Sequence, residues 1–286
     1  MQPFVRWVGG KRKHVSELMR NMPNNYKVYY EPFVGGGALF LAVAPKRSVI
    51  NDVNVGLMAM WRSLQEDPQQ LVGVVSEMFD EYNALNAKKQ RAMFEQVKAM
   101  YNAEKQVGGK NNDVTLAALF CFLTFTSYNA TYRENGKGDY NNGFAKFPHV
   151  GPLDADNLWD ISDFLGSNKS KIKILCENWS DAIQSAKAGD FIYFDPPYYS
   201  TKGGREFQGY NQHAFDAKEH ARLAETCRLL DRKGVNWMVS NNDDPFIRKL
   251  FKGYPMIRLH NQQSNGGKGD RYGRRTNKMD LLIRNY

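Results

Sequence analysis

Seven short, β-rich runs punctuate this chain of 286 residues, at 28–31, 48–51, 171–175, 190–195, 235–240, 256–259 and 279–284. Several are apolar almost without a break, which suits strands buried on both faces of a parallel sheet better than the alternating strands of a half-wet one. Parallel neighbours need crossovers of a dozen residues or more, usually helical. Helical patterns do stand beside these runs, at 11–22, 38–44, 217–230 and 245–251. The sequence therefore predicts an α/β fold with a doubly wound, mostly parallel sheet.

The alternation breaks between the second and third runs. From about residue 54 to residue 152 the pattern is helical, with candidate helices at 57–64, 69–82, 90–101 and 114–125, followed by a polar, Gly- and Asn-rich stretch at 128–142. This predicts a helical insertion at 54–153 that divides the sheet domain into two segments, 1–53 and 154–286.

Lys and Arg outnumber Asp and Glu by 39 to 30, a formal charge of +9 that points to a polyanionic partner. No apolar run is long enough to span a bilayer, so no membrane partner is expected. The first residues lack the charged-then-apolar layout of a secretory leader. Cys121, Cys176 and Cys227 are too few and too scattered for a disulfide framework or a cysteine zinc site. The compartment this predicts is a reducing cytoplasm, and no metal is expected.

The densest chemical signal is Asp195-Pro196-Pro197-Tyr198, directly after the apolar run 191–194. Open α/β sheets bind ligands at the carboxyl ends of their strands. Two prolines stop the strand and hold the next backbone extended. Such a frame suits methyl transfer to the exocyclic amino nitrogen of adenine, a poor nucleophile whose lone pair is delocalised into the ring. Asp195 and the carbonyl of Pro196 can accept its two hydrogens and draw it towards a pyramidal geometry. Tyr198 can stack on a base that has left the duplex, and its π-face suits a sulfonium cation. The plain alternative is a strand end followed by a turn, with Asp195 as a cap.

A second signal, Glu31-Pro32-Phe33-Val34-Gly35-Gly36-Gly37, follows a strand and opens a helix. Consecutive glycines permit positive φ and close approach of a ligand to the backbone. The absence of a following Lys-Ser/Thr pair argues against a phosphate-cradling P-loop, while dinucleotide binding stays open on this feature alone. Asp52, at the end of the next strand, stands where an acid typically binds ribose hydroxyls, or else caps the helix beginning near Asn54. Trp7-Val8-Gly9-Gly10-Lys11, before the first helix, reads either as a small anion site for an amino-acid carboxylate or as an ordinary turn with a solvated lysine.

In this order, these features resemble the DNA adenine methyltransferase (Dam) family, in the group whose recognition insertion precedes the Asp-Pro-Pro-Tyr motif. The resemblance runs from Phe4 to Tyr286. It implies a Rossmann-like methyltransferase fold with S-adenosyl-L-methionine as cofactor. The implied reaction is base flipping in double-stranded DNA and direct in-line transfer to adenine N6, with Asp195, Pro196, Pro197 and Tyr198 catalytic. Trp7, Lys11, Glu31, Phe33, Gly35, Gly37, Asp52 and Asp195 would then meet the cofactor, with Asn178 and Trp179 bordering its adenine ring. A cognate restriction endonuclease acting independently is a further partner that family membership allows.

The insertion resembles the family's target-recognition domain. The stretch 128–137 holds an Asn135-Gly136 pair, a strong hairpin signal, and Arg133 can bond O6 and N7 of a guanine in the major groove. Tyr128 and Asn129 match positions that wedge into the space left by a flipped base, and Thr131, Asn135 and Lys137 complete the expected DNA-facing set. A glycine-rich basic stretch at 265–275, with Lys268, Arg271, Arg274 and Arg275, suits wrapping of phosphates. The chain departs from the family at two places: Asn129-Ala130-Thr131 stands for the usual Asn-Gly-Leu, and Asn142-Gly143-Phe144 lacks the usual proline. A GATC target is therefore not implied. Two rivals remain: the same chemistry on RNA, a free base or cytosine, and a DNA-binding protein of this fold that does not catalyse.

Overall fold

The computed structural model describes residues 1–106, 113–145, 149–151, 153–200, 215–259 and 280–286. Among them, seven strands form one sheet: β1 (Tyr29–Glu31), β2 (Ser48–Asn51), β3 (Ile172–Leu175), β4 (Phe191–Phe194), β5 (Asn236–Asn242), β6 (Met256–Leu259) and β7 (Asp280–Arg284). Their order is β3-β2-β1-β4-β5-β7-β6. Strands β1 to β5 run parallel, and β7 lies antiparallel between β5 and β6. Each lies within two residues of a run read from the sequence.

The unbroken apolar character of these runs comes from burial on both faces. Successive strand residues point to opposite faces. Tyr29, Ile50, Phe191, Tyr193, Met238 and Leu282 enter one core, while Tyr30, Val49, Ile192, Phe194, Trp237 and Leu281 enter the other. The second core is closed by α8 (Trp179–Ala182), α9 (Ala217–Arg232) and α10 (Pro245–Leu250). The first is closed by α1 (Val15–Arg20), α2 (Ala38–Val43), α3 (Val55–Glu66) and α7 (Ala155–Ser167). It continues without interruption into α4 (Pro68–Ala84), α5 (Ala87–Gln106) and α6 (Asp113–Thr126). The helical block between β2 and β3 is thus built onto one face of the sheet. Its central member, α6, is buried from Leu116 to Leu123 and packs against α3, α4 and α5.

Two helical readings need correction. The stretch 11–22 is a 3-10 turn (Arg12–His14) followed by the shorter α1, because the chain first closes an i→i+3 bond from His14 N–H to the Lys11 carbonyl at 2.8 Å. Helix α7 had no counterpart in the sequence reading, although Leu158, Ile161 and Leu165 recur at helical spacing and are all buried. The Asp-Pro dipeptides Asp67-Pro68 and Asp244-Pro245 each start a helix, with Asp as N-cap and Pro in the first turn. Asp195-Pro196 follows β4 and starts none.

From β1 the chain builds outward through β2 to β3, and from β4 outward in the other direction through β5. The reversal falls between β1 and β4. At such a switch point the flanking loops diverge and open a crevice at the carboxyl edge of the sheet.

Candidate active site

Because β1 to β4 are parallel, the loops after them leave from the same edge. Glu31 ends β1, Asp52 follows β2, Asn178 and Trp179 follow β3, and Asp195 follows β4. A residue that the sequence reading passed over ties three of these loops together. The buried Asn51 amide donates to the carbonyls of Pro32 (3.0 Å) and Glu177 (3.1 Å), and its oxygen accepts from Glu177 N–H (2.8 Å).

At the switch point itself, Asp195 Oδ1 lies 2.7 Å from Nζ of Lys11. That ammonium also donates to the Gly9 carbonyl (2.8 Å) and sits 4.6 Å from the centre of the Tyr198 ring. Lys11 is only 6% exposed, so it is no solvated surface lysine. Burial raises the Asp195 pKa, and Lys11 draws it back down. The buried Glu31 accepts the Tyr29 hydroxyl on Oε2 at 2.5 Å, yet desolvation outweighs that bond, the Phe40 backbone and the pull of Lys11, and pushes it up to about 8. At neutral pH Glu31 therefore carries its proton while Asp195 keeps a cation in contact.

The glycine loop is shaped by the protein's own tryptophans. A Cβ on Gly35 would stand 2.6 Å from the Trp7 ring, and one on Gly37 would stand 2.6 Å from the Trp61 ring. Both glycines also have positive φ, 50° and 68°. Trp61 Nε1–H donates to the Gly35 carbonyl at 3.1 Å. Asp52 grips the same loop from the other side, accepting from Gly35 N–H (3.1 Å) and Asn54 N–H (3.0 Å). The cap of α3 is Asn54, so Asp52 is not spent as one. Desolvation raises Asp52 to about 6, against the pull of those backbone donors.

Phe33 and Trp179 stack at 6.0 Å, with Phe215 edge-on to Phe33 at 5.5 Å. Trp179 is buried and donates to Glu219 at 3.0 Å, while Asn178 is exposed and caps α8.

After α6 the chain turns tightly at Tyr128–Ala130, with Asn129 (φ 57°) and Ala130 (φ 51°) both left-handed. Asn tolerates this conformation; for Ala it costs about 1–2 kcal/mol. Nδ2 of Asn142 holds the turn, lying 3.1 Å from the Tyr128 carbonyl, 2.7 Å from the Thr131 carbonyl and 3.1 Å from Thr131 Oγ1. The Thr131 hydroxyl itself donates to the Tyr128 carbonyl at 3.2 Å. The two places where the chain departs from the family pattern thus touch each other.

The expected hairpin is a reversal without a continuous ladder, carrying two isolated bridges, Ser127 to Phe144 and Glu134 to Tyr140. Side-chain amides take up backbone groups that a ladder would use. Asn142 is one, and Asn135 another, its Oδ1 accepting from Lys137 N–H (2.9 Å) and Asp139 N–H (3.0 Å). Tyr128 is 63% exposed, and Asn129, Arg133 and Lys137 are exposed too. The turn is joined to the glycine loop by Tyr132, which stacks on Trp7 at 5.9 Å.

A family model for the D12 class of N6 adenine-specific DNA methyltransferases matches residues 7–265. The chain belongs to this class. Over 286 residues it is 30% identical to the type II methyltransferase M1.LlaDCHI of Lactococcus lactis subsp. cremoris, covering all of this chain and 96% of that protein. It is 31% identical to the type II methyltransferase M.MjaIII of Methanocaldococcus jannaschii, covering all of this chain and 99% of that protein. A DNA N-6-adenine-methyltransferase of Escherichia phage P1 is 29% identical over 98% of this chain, which spans 35% of that longer protein. As a member of the D12 class, the protein methylates adenine N6 in DNA and requires a methyl donor. Class membership places the acceptor in DNA and on adenine, against the RNA, free-base and cytosine rivals. Among the described residues no helix is long and apolar enough to cross a membrane.

The phosphate-wrapping candidates Lys268, Arg271, Arg274 and Arg275 lie outside the described residues. What the sequence does not reveal at this candidate site is mostly partnership over distance: the Lys11–Asp195 pair, Asn51 between three loops, and Asp280, which accepts from the Tyr198 hydroxyl at 2.8 Å. No local motif announces any of these.

Proposed function

We propose that the methyl donor is S-adenosyl-L-methionine and the acceptor an adenine flipped out of double-stranded DNA, with Asp195, the Pro196 carbonyl and Tyr198 at the reacting nitrogen. The observation that carries this reading is the Lys11–Asp195–Tyr198 cluster at the topological switch point. Asp195 would accept one amino hydrogen and the Pro196 carbonyl the other, fixing the nitrogen before transfer. Lys11 would keep Asp195 ionised in a buried site, so that it acts as an acceptor only. Pro197 would stiffen the frame, and Tyr198 would stack on the base.

The donor set at the sheet edge fits the proposed cofactor. A half-buried Asp52 suits ribose hydroxyls, the aromatic faces of Phe33 and Trp179 suit an adenine ring beside Asn178, and Glu31 with Trp7 and the Gly35–Gly37 loop suits the amino-acid end. When bound, this cofactor supplies an electrophilic methyl group on a sulfonium. Block 54–153 would be the target-recognition part, with Arg133 reading a guanine, Tyr128 and Asn129 filling the space of the flipped base, and Thr131, Asn135 and Lys137 shaping or lining the same surface. The type II names of two relatives support a place beside a restriction endonuclease acting independently.

The test is transfer of labelled methyl from S-adenosyl-L-methionine onto matched duplex DNA, single-stranded DNA and RNA. Duplex DNA should be the preferred acceptor, and Asp195→Ala should slow transfer by on the order of 10³-fold or more while leaving duplex binding near normal. A variant retaining a tenth of the wild-type rate would remove Asp195 from the chemistry.

A further inference from the structure

Every parallel strand offers the carboxyl edge its last residue, but β7 is antiparallel and offers its first. That first residue is Asp280, paired in register with Asn242 at the end of β5. Its carboxylate Oδ2 accepts the Tyr198 hydroxyl at 2.8 Å and lies 3.8 Å from Nε2 of His14 in the opening helical segment. One residue further along, Tyr199 N–H donates to Oδ1 of Asn241 in β5, at 3.2 Å. The loop after β4 is therefore fastened on two sides. Lys11 holds Asp195 and lies over the Tyr198 ring, while β7 holds the Tyr198 hydroxyl and β5 the Tyr199 backbone N–H.

We propose that Asp280 is a positioning residue for methyl transfer, anchoring the Tyr198 ring through its hydroxyl so that the ring presents a fixed face to the acceptor base. This rests on the reading of Tyr198 as the stacking residue. The physical case is that a tyrosine ring turns about two torsions, and a hydrogen bond at its far end to a carboxylate in a strand removes most of that freedom. At 2.8 Å the hydroxyl-to-carboxylate bond has the usual O–H···O length and pins the far end of the ring. Its partner sits on backbone held by β5 on one side and β6 on the other. Orientation of a stacking surface matters more to the reaction than to binding, because displacement of the base by a fraction of an ångström spoils the in-line geometry.

The experiment is a double-mutant cycle in the full chain, read as single-turnover transfer rate on one duplex, with near-UV circular dichroism to confirm the fold of each variant. Asp280→Ala should lower the rate about tenfold, within the range of couplings between contacting groups, with little change in duplex affinity. Asp280→Asn keeps an acceptor in the same place and should recover most of that loss. In a Tyr198→Phe background, Asp280→Ala should cost less than about twofold more, since the hydroxyl it serves is already gone. Additive losses would mean that Asp280 acts through His14 or the strand and would overturn the inference. So would an Asn variant as slow as the Ala variant. If instead Tyr198→Ala transfers at the wild-type rate, it is the stacking role of Tyr198 that fails.

Discussion

At the carboxyl edge of the sheet, side chains hang from backbone that two apolar cores fix. In the loop after α6 they hang from backbone that a few side-chain amides fix. Asp195 follows a strand whose four residues are all buried, and its charge is met by a lysine that is itself buried. Arg133 and Tyr128 are exposed, on a turn strained at Ala130 and held by Asn142. The first arrangement keeps ionised groups in register for a reaction with tight geometry. The second leaves surface side chains exposed on a turn that one residue, Asn142, holds; on the proposed reading, that turn aims them at a groove. Rate and selectivity should therefore respond to different substitutions.

The largest effect expected in breaking this contrast is at Lys11. Desolvation raises Asp195 and Lys11 is the chief group opposing it, so Lys11→Met raises the Asp195 pKa further. On the proposed mechanism Asp195 acts as an ionised acceptor, so the acid limb of the pH–rate profile should move to higher pH. At neutral pH the rate should fall on the order of a hundredfold, the scale of losing one preorganised electrostatic partner, and part of it should return as pH rises. An acid limb that stays in place would assign Lys11 to the cofactor alone. A smaller effect is expected at Arg133, where Arg133→Ala should remove about 1–3 kcal/mol of discrimination at one base pair, measured as a ratio of rates on matched duplexes. The smallest is at Asn142. Losing its bonds to the turn should lower stability by about 1 kcal/mol in chemical denaturation, and Asn142→Ala should loosen selectivity less than Arg133→Ala does.

The two regions were also unequally legible in the sequence. Strand β4 and Asp195-Pro196-Pro197-Tyr198 could be read because burial on both faces leaves an unbroken apolar run, and because two prolines end it at once. The glycines of the 33–37 loop could be read as close-approach positions, but not what approaches. Trp7 and Trp61 are brought there by the fold, from 28 and 24 residues away for Gly35 and Gly37 respectively. The pairing of Lys11 with Asp195 and of Tyr198 with Asp280 joins segments far apart in the chain, and depends on strand order and on the reversed direction of β7. In the turn, Asn135-Gly136 announced a reversal correctly. The ladder expected from it is replaced by Asn135 and Asn142 bonding the backbone themselves, which no periodicity encodes. Helix α7 is legible in the helical spacing of Leu158, Ile161 and Leu165, all of them buried.

The separation of chemistry from selection is tested most directly by one set of rates. Wild type, Lys11→Met and Arg133→Ala are timed in single turnover on a target duplex and on each of its single-base variants. Lys11→Met should lower all rates by a common factor and leave their ratios intact, while Arg133→Ala should flatten the ratio at one base pair and spare the others. If Arg133→Ala instead slows every duplex equally, or Lys11→Met changes which base pairs are tolerated, the two regions do not divide the work in this way.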